Sequence, residues 1–193
     1  MITETLLEAR SAIDALLANK PALAAVAEAG KMLAECLAGG GRVYSCGNGG
    51  SMCDAMHFAE ELSGRYRLDR RPLAATAISD PGHMTCVAND FGYEAVFSRY
   101  VEAHGRPGDC LLAISTSGKS LNVLAAARTA TRQGAKVIAL TGHAGSPLSE
   151  FATVEICTPV GRFADRIQEL HIKIVHILIE LVERELFPEN YRN

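Results

Sequence analysis

Apolar positions along this chain change their period at about residue 42. Before it, Leu6, Leu7, Ile13, Leu16 and Leu17 recur at near-helical spacing, and an alanine-rich stretch from Ala22 to Leu37 continues in the same manner. Lys20-Pro21 separates the two, with proline where a first helical turn tolerates it, and Gly39-Gly40-Gly41 is a strong stop. Two helices are therefore expected over residues 2–37. Beyond them, short apolar runs at Val43–Cys46, Leu73–Ser79, Cys110–Ser115, Lys136–Thr141 and Val154–Thr158 alternate with helical stretches near 52–64, 83–103, 120–133 and 163–187, and a shorter one at 146–152. Such alternation predicts an α/β three-layer sandwich: a five-stranded parallel sheet covered on both faces, preceded by N-terminal helices and closed by a long C-terminal helix.

In sheets of this kind ligands bind beyond the carboxyl ends of the strands, so the segments that follow each run carry the chemistry. The first is Gly47-Asn48-Gly49-Gly50-Ser51, a glycine-rich turn leading into a helix whose first N–H groups lack intrahelical partners. The third is Ser115-Thr116-Ser117-Gly118-Lys119-Ser120, in which hydroxyls and a glycine surround outward-pointing N–H groups, as a phosphate monoester requires. Neither is a nucleotide P-loop, because G-x-x-x-x-G-K-[ST] is absent, and no G-x-G-x-x-G supports a dinucleotide site. His57 and Glu61, four residues apart, share one helix face. An anion cradle beside a His/Glu pair points to a phosphorylated substrate next to acid/base or metal chemistry.

Composition narrows the class. With 48% hydrophobic and 21% charged residues the chain can bury a full core, and a net charge of −3 without a Lys/Arg block gives no nucleic-acid surface. The start of the chain lacks a basic segment followed by an apolar core, so no secretory signal is expected, and Ile172–Val182 is too short to span a bilayer. Six scattered cysteines without a C-x-x-C pair suit a reduced, cytoplasmic protein.

The Ser-Thr-Ser-Gly-x-Ser loop after a central strand resembles the sugar isomerase (SIS) domain family. The segments CGNGGS, Asp54–Tyr66, Ala88–Gly92 and Ala164–Ile179 narrow the likeness to its phosphoheptose isomerases, over essentially the whole chain. The resemblance implies a flavodoxin-like strand order and one SIS domain over 1–193, with residues 1–40 as a helical extension. It implies conversion of sedoheptulose 7-phosphate to D-glycero-D-manno-heptose 7-phosphate through an enediol, the first step of ADP-heptose synthesis for lipopolysaccharide core. Glu61 and His176 take the catalytic positions. Asn48, Gly49, Gly50, Ser51, Asn89, Asp90, Ser115, Thr116, Ser117, Ser120 and Gln168 match positions that hold substrate, and His57, Glu61, Gln168 and His176 match zinc ligands. A homotetramer is implied. Two rivals are a non-catalytic SIS protein that binds the replication initiator DnaA, and an isomerase of a shorter sugar phosphate. Retention of His57, Glu61, Gln168 and His176 together weighs against the first, and the initial helices against the second.

Gln168 and His176 lie eight residues apart, about 12 Å along a helix. They reach one ion only if both side chains lean inward or if two subunits supply them, and a site at a subunit interface is the expectation. His171 falls about 140° around the helix from His176 and reads as structural. His83 and His143 read as loop residues, His104 as exposed, and Asp165 as an acid in a first helical turn. Apolar residues on more than one face of 167–187 predict burial on several sides and, with the initial helices, a helical subunit contact.

Overall fold

The computed structural model describes residues 1–158, 161 and 163–192. Helices α1 (Ile2–Ala18) and α2 (Lys20–Ala38) come first. The break between them falls at Asn19, whose side chain accepts a hydrogen bond from the Ala22 N–H at 3.1 Å, with Pro21 in the first turn of α2. Then follow β1 (Val43–Cys46), α3 (Gly50–Ser63), β2 (Ala75–Ala77), α4 (Pro81–Phe91), α5 (Val96–His104), β3 (Cys110–Ser115), α6 (Leu121–Arg132), β4 (Lys136–Thr141), β5 (Val154–Cys157) and α7 (Ala164–Leu186). The sheet is wholly parallel with order β2-β1-β3-β4-β5, the flavodoxin-like arrangement.

Side chains alternate across the sheet and divide the core into two layers. From β3, Cys110, Leu112 and Ile114 join residues of α2, α3 and α7 on one face. Leu111 and Ala113 join Val87, Phe97, Val123 and Ala126 on the other, under α4, α5 and α6. The expected three-layer sandwich is the observed one. α7 covers the first face and buries Ile174, Val175, Leu178, Ile179 and Val182.

Two elements depart from expectation. The helix predicted over 83–103 is broken into α4 and α5 by Gly92, at φ 84°, and a 3₁₀ turn at Tyr93–Ala95. That φ is a left-handed conformation which glycine adopts without steric cost, so the helix ends there. The predicted strand 73–79 forms a ladder only over Ala75–Ala77, because it is an edge strand with one neighbour. Its flanks are still tied to β1 through Val43 N–H to Ala74 C=O and Ile78 N–H to Ser45 C=O, both 2.9 Å. The short segment predicted at 146–152 is a 3₁₀ turn, Pro147–Phe151.

Candidate functional site

The order of strands reverses between β1 and β3, and the loops after those two strands face each other across the crevice. In the first loop Gly49 has φ 55°, and the Ser51 N–H closes onto the Asn48 carbonyl at 3.1 Å. In the second, the Gly118 N–H bonds the Ser115 carbonyl at 3.0 Å and the Ser115 and Ser120 hydroxyls lie 3.1 Å apart. Ser117 Oγ accepts from the Lys119 N–H at 3.2 Å. Ser115 is buried, while Thr116, Ser117 and Ser120 are half-buried. Asn48, Gly49, Gly50, Ser51, Ser115, Thr116, Ser117 and Ser120 are thus gathered at one edge of the sheet. Asn89 and Asp90 occupy the exposed end of α4, where Asn89 Nδ2 donates to Asp90 Oδ1 at 2.7 Å. Three residues beyond Asp90, the Tyr93 hydroxyl donates to Asn48 Oδ1 at 3.1 Å, which brings this end of α4 beside the first loop.

A second constellation lies along the seam between α3 and α7. The two helices run side by side in the same direction. Gln168 lies at the start of α3, where a Cβ on Gly50 would stand 2.6 Å from its Oε1, and His176 meets His57 further along. The Nε2 atoms of His57 and His176 are 2.8 Å apart, and His57 Nδ1 is 3.1 Å from Glu60 Oε1. A neutral His57 that donates from Nδ1 to Glu60 has its acceptor at Nε2, so His176 is the donor to it; this tautomer follows from the network. Glu61 Oε1 stands 3.6 Å from His57 Nε2, an ion-pair separation rather than a hydrogen bond. Tyr66 lies beside His176 with ring centroids 5.9 Å apart.

Burial sets the electrostatics of this seam. Glu61 has its pKa raised, first by desolvation and next by the neighbouring Glu60 charge, against the pull of His57. His176 is lowered, first by desolvation and then by His57 and Lys173, and is held neutral at pH 7. One turn before His57, the buried Asp54 is pushed up to about 6 by desolvation, partly offset by His57, and its Oδ2 finds no hydrogen-bond partner among the described residues.

Below the seam, Arg70 and Glu183 form a fully buried pair, Nε to Oε1 at 2.8 Å with each side chain 1% exposed. The same guanidinium donates to the carbonyls of Glu61, Leu62 and Gly64 at the end of α3, and Tyr191 OH donates to Glu183 Oε2 at 2.7 Å. Glu183 belongs to α7, so this pair ties the helix bearing His57 and Glu61 to the one bearing His176.

One chain therefore brings His57, Glu61 and His176 together, and Gln168 stands apart from them. The eight-residue separation is real: Gln168 faces Gly50 at the start of α3, and His176 faces His57 in its middle. His57, Glu60 and Glu61 each offer a ligand atom within 4.8 Å of the others. Two imidazoles and a carboxylate are a suitable donor set for a zinc-type ion. Tetrahedral bonds of about 2.0–2.1 Å would place two ring nitrogens about 3.3 Å apart, so the observed pair would open by about half an ångström. The residues present fit such an ion.

His171 is structural, as its angular position implied. It is fully buried, its Nε2–H donates to the Thr141 carbonyl at 3.2 Å, and burial pushes its pKa down to about 4. His83 contacts the Val96 carbonyl, and His104 packs on Tyr100. Sequence reasoning missed Asp54, Glu60, Asn122, Tyr93 and the Arg70–Glu183 pair. Asn122, a poor helix former in the first turn of α6, was a legible signal; Arg70 and Glu183 are 113 residues apart and carried none.

A family model described as the SIS domain matches residues 9–142. Over 186 residues, 96% of this chain and 97% of its counterpart, the sequence is 57% identical to the phosphoheptose isomerase of Aeromonas hydrophila subsp. hydrophila. The structure of a phosphoheptose isomerase from Francisella tularensis superposes with a TM-score of 0.89 at 36% identity, covering 95% of this chain and 96% of that one. The phosphoheptose isomerase of Neisseria gonorrhoeae gives 0.79 at 36% identity, with 94% of each chain covered.

Proposed function

Because this chain belongs to the SIS domain family and, within it, to the phosphoheptose isomerases, we propose that it interconverts sedoheptulose 7-phosphate and D-glycero-D-manno-heptose 7-phosphate. The observation that carries the reaction type is the meeting of one carboxylate and two imidazoles on the α3–α7 seam. The names of near full-length relatives support a phosphoheptose as substrate, and the particular ketose and aldose are those the resemblance implies.

In this reading Glu61 removes a proton from C1 of the ketose while the C2 carbonyl oxygen receives a proton from His176. The resulting enediol then loses the proton on O1 to the imidazole and gains one at C2 from Glu61, so that atoms and charges balance over the cycle. A raised Glu61 pKa makes the carboxylate a stronger base, and a neutral His176 is able both to give and to accept a proton. Ser115, Thr116, Ser117 and Ser120 hold the phosphate, and Asn48, Gly49, Gly50, Ser51, Asn89, Asp90 and Gln168 address the sugar. Zinc would be held by His57, Glu61 and His176, with Gln168 as the further ligand implied by resemblance, and would polarise the carbonyl oxygen; Glu61 and His176 would carry protons only when released from it.

Glu61 lies about 15 Å along α3 from Ser51, since each residue rises about 1.5 Å. That span supports a site completed between subunits, in which the loops of one copy face the seam of another. Leu6, Leu7 and Leu17 of α1 and Leu23 of α2 are exposed apolar residues suited to a helical contact in a homotetramer. The chain is read as one SIS domain with residues 1–40 as its extension, acting in the cytoplasm to supply heptose for lipopolysaccharide core. Among the described residues no helix is long and apolar enough to cross a membrane.

The test is incubation of the purified chain with sedoheptulose 7-phosphate, with and without a chelator, following the aldose product. Turnover that stops on metal removal and returns with zinc is expected. No turnover in either arm sinks the activity, and full turnover in the metal-free protein sinks only the zinc assignment.

A further inference from the structure

The hydrogen bonds at the switch point assign a task to two residues outside the proposed substrate and acid/base set. We propose that Asn122 and Tyr93 are positioning residues that act through Asn48, tying the loop after β1 to the first turn of α6 and to the 3₁₀ turn after α4 as one preassembled wall. This rests on the reading that those loops hold the sugar phosphate.

Asn122 is 3% exposed although it lies in the first turn of α6. It forms a reciprocal amide pair with Asn48: Asn48 Nδ2 donates to Asn122 Oδ1 at 2.8 Å, and Asn122 Nδ2 donates to Asn48 Oδ1 at 2.8 Å. The Val123 N–H also donates to Asn122 Oδ1 at 3.0 Å, and Tyr93 OH to Asn48 Oδ1 at 3.1 Å. Flipping either amide would set Nδ2 against a donor, so the network fixes both orientations. Both lone pairs of Asn48 Oδ1 are consumed, by Asn122 and Tyr93. Asn48 is left with one free Nδ2 proton, and so can present only a donor to an oxygen of the substrate. Its partners come from α6, just past the Ser115–Ser120 loop, and from the connection beyond Asn89 and Asp90. A single amide thereby joins three segments of the chain, which is the support that a preorganised binding wall needs.

A double-mutant cycle tests this. Tyr93→Phe removes one exposed hydroxyl and is expected to leave the melting temperature unchanged, raise KM for sedoheptulose 7-phosphate about fivefold and spare kcat. Asn122→Asp removes the donor to Asn48 Oδ1 and is expected to raise KM more. In an Asn48→Ala background Tyr93→Phe should have no further effect, a coupling that a merely structural tyrosine would not show. Additive effects, or unchanged KM in both single variants, overturn the proposal while wild-type turnover leaves the isomerase reading standing. A readout independent of activity is hydrogen exchange at the Asn48 side-chain amide by NMR. One slowly exchanging Nδ2 proton in wild type, lost in Asn122→Ala, which removes its acceptor, is expected; two freely exchanging protons in wild type overturn the proposal even if wild type proves inactive.

Discussion

The strand-edge loops and the α3–α7 seam are built from different physics. At the edge the functional groups are hydroxyls, amides and backbone N–H groups, carried on turns and held by neutral hydrogen bonds such as Ser115–Ser120 and Asn48–Asn122. At the seam they are a carboxylate and two imidazoles on regular helices, with the pKa values of Glu61 and His176 displaced by burial and by neighbouring charges. The edge is suited to gripping an anion at any pH at which the anion is charged, whereas the seam is suited to moving protons. What joins the two is not a shared loop but the pair of parallel helices α3 and α7, clamped by Arg70 and Glu183.

The largest effect is expected from breaking that clamp. Arg70→Met leaves Glu183 buried without its cation, and removal of one member of a buried pair costs about 3–5 kcal/mol. Denaturant unfolding should show that loss, with Tyr191 insufficient to replace the arginine. A loss under 1 kcal/mol would mean that the seam is held by apolar packing alone.

Next in size is a pH effect at His171, which lies on α7 between the two regions. Its folded pKa of about 4 is below the ordinary 6.5, so the unfolded chain binds more protons between these values. Its contribution is complete above pH 6.5 and is lost as pH falls toward 4, amounting to about 3 kcal/mol over that window. His171→Gln, compared with wild type by unfolding at pH 4.5 and pH 7, should flatten this slope; an unchanged slope assigns the acid sensitivity elsewhere. The smallest effect belongs to the edge. Ser120→Ala removes one proposed hydrogen bond to a charged phosphate, about 2 kcal/mol or roughly thirtyfold in KM, with kcat preserved. A fall in kcat with KM unchanged would place Ser120 in the chemistry instead of the grip.

The two regions were also unequally legible in the sequence. The edge loops could be read because each follows an apolar run directly; alternation gave the parallel sheet, whereas its strand order was implied only by the family resemblance. Gly92 was part of a recognised segment, yet the helix break it imposes was missed, because helical periodicity runs on through Ala95, Val96 and Val101. His57 and Glu61 were visible as an i, i+4 pair, but nothing local in the sequence says that His176, 119 residues later, touches His57. Burial decides the rest. Asp54 Oδ2, without a partner among the described residues, and the Arg70–Glu183 clamp are consequences of tertiary packing, to which periodicity and spacing are blind.

The most direct test of the proposed division between grip and chemistry is the kinetics of Glu61→Gln with sedoheptulose 7-phosphate. The substitution keeps the shape of the side chain, removes its basicity and weakens a proposed zinc ligand, so the variant is assayed with saturating zinc. A fall in kcat of about 10²–10⁴-fold is predicted, with KM and the melting temperature close to wild type. A variant that keeps wild-type kcat would contradict the assignment of proton transfer to the α3–α7 seam.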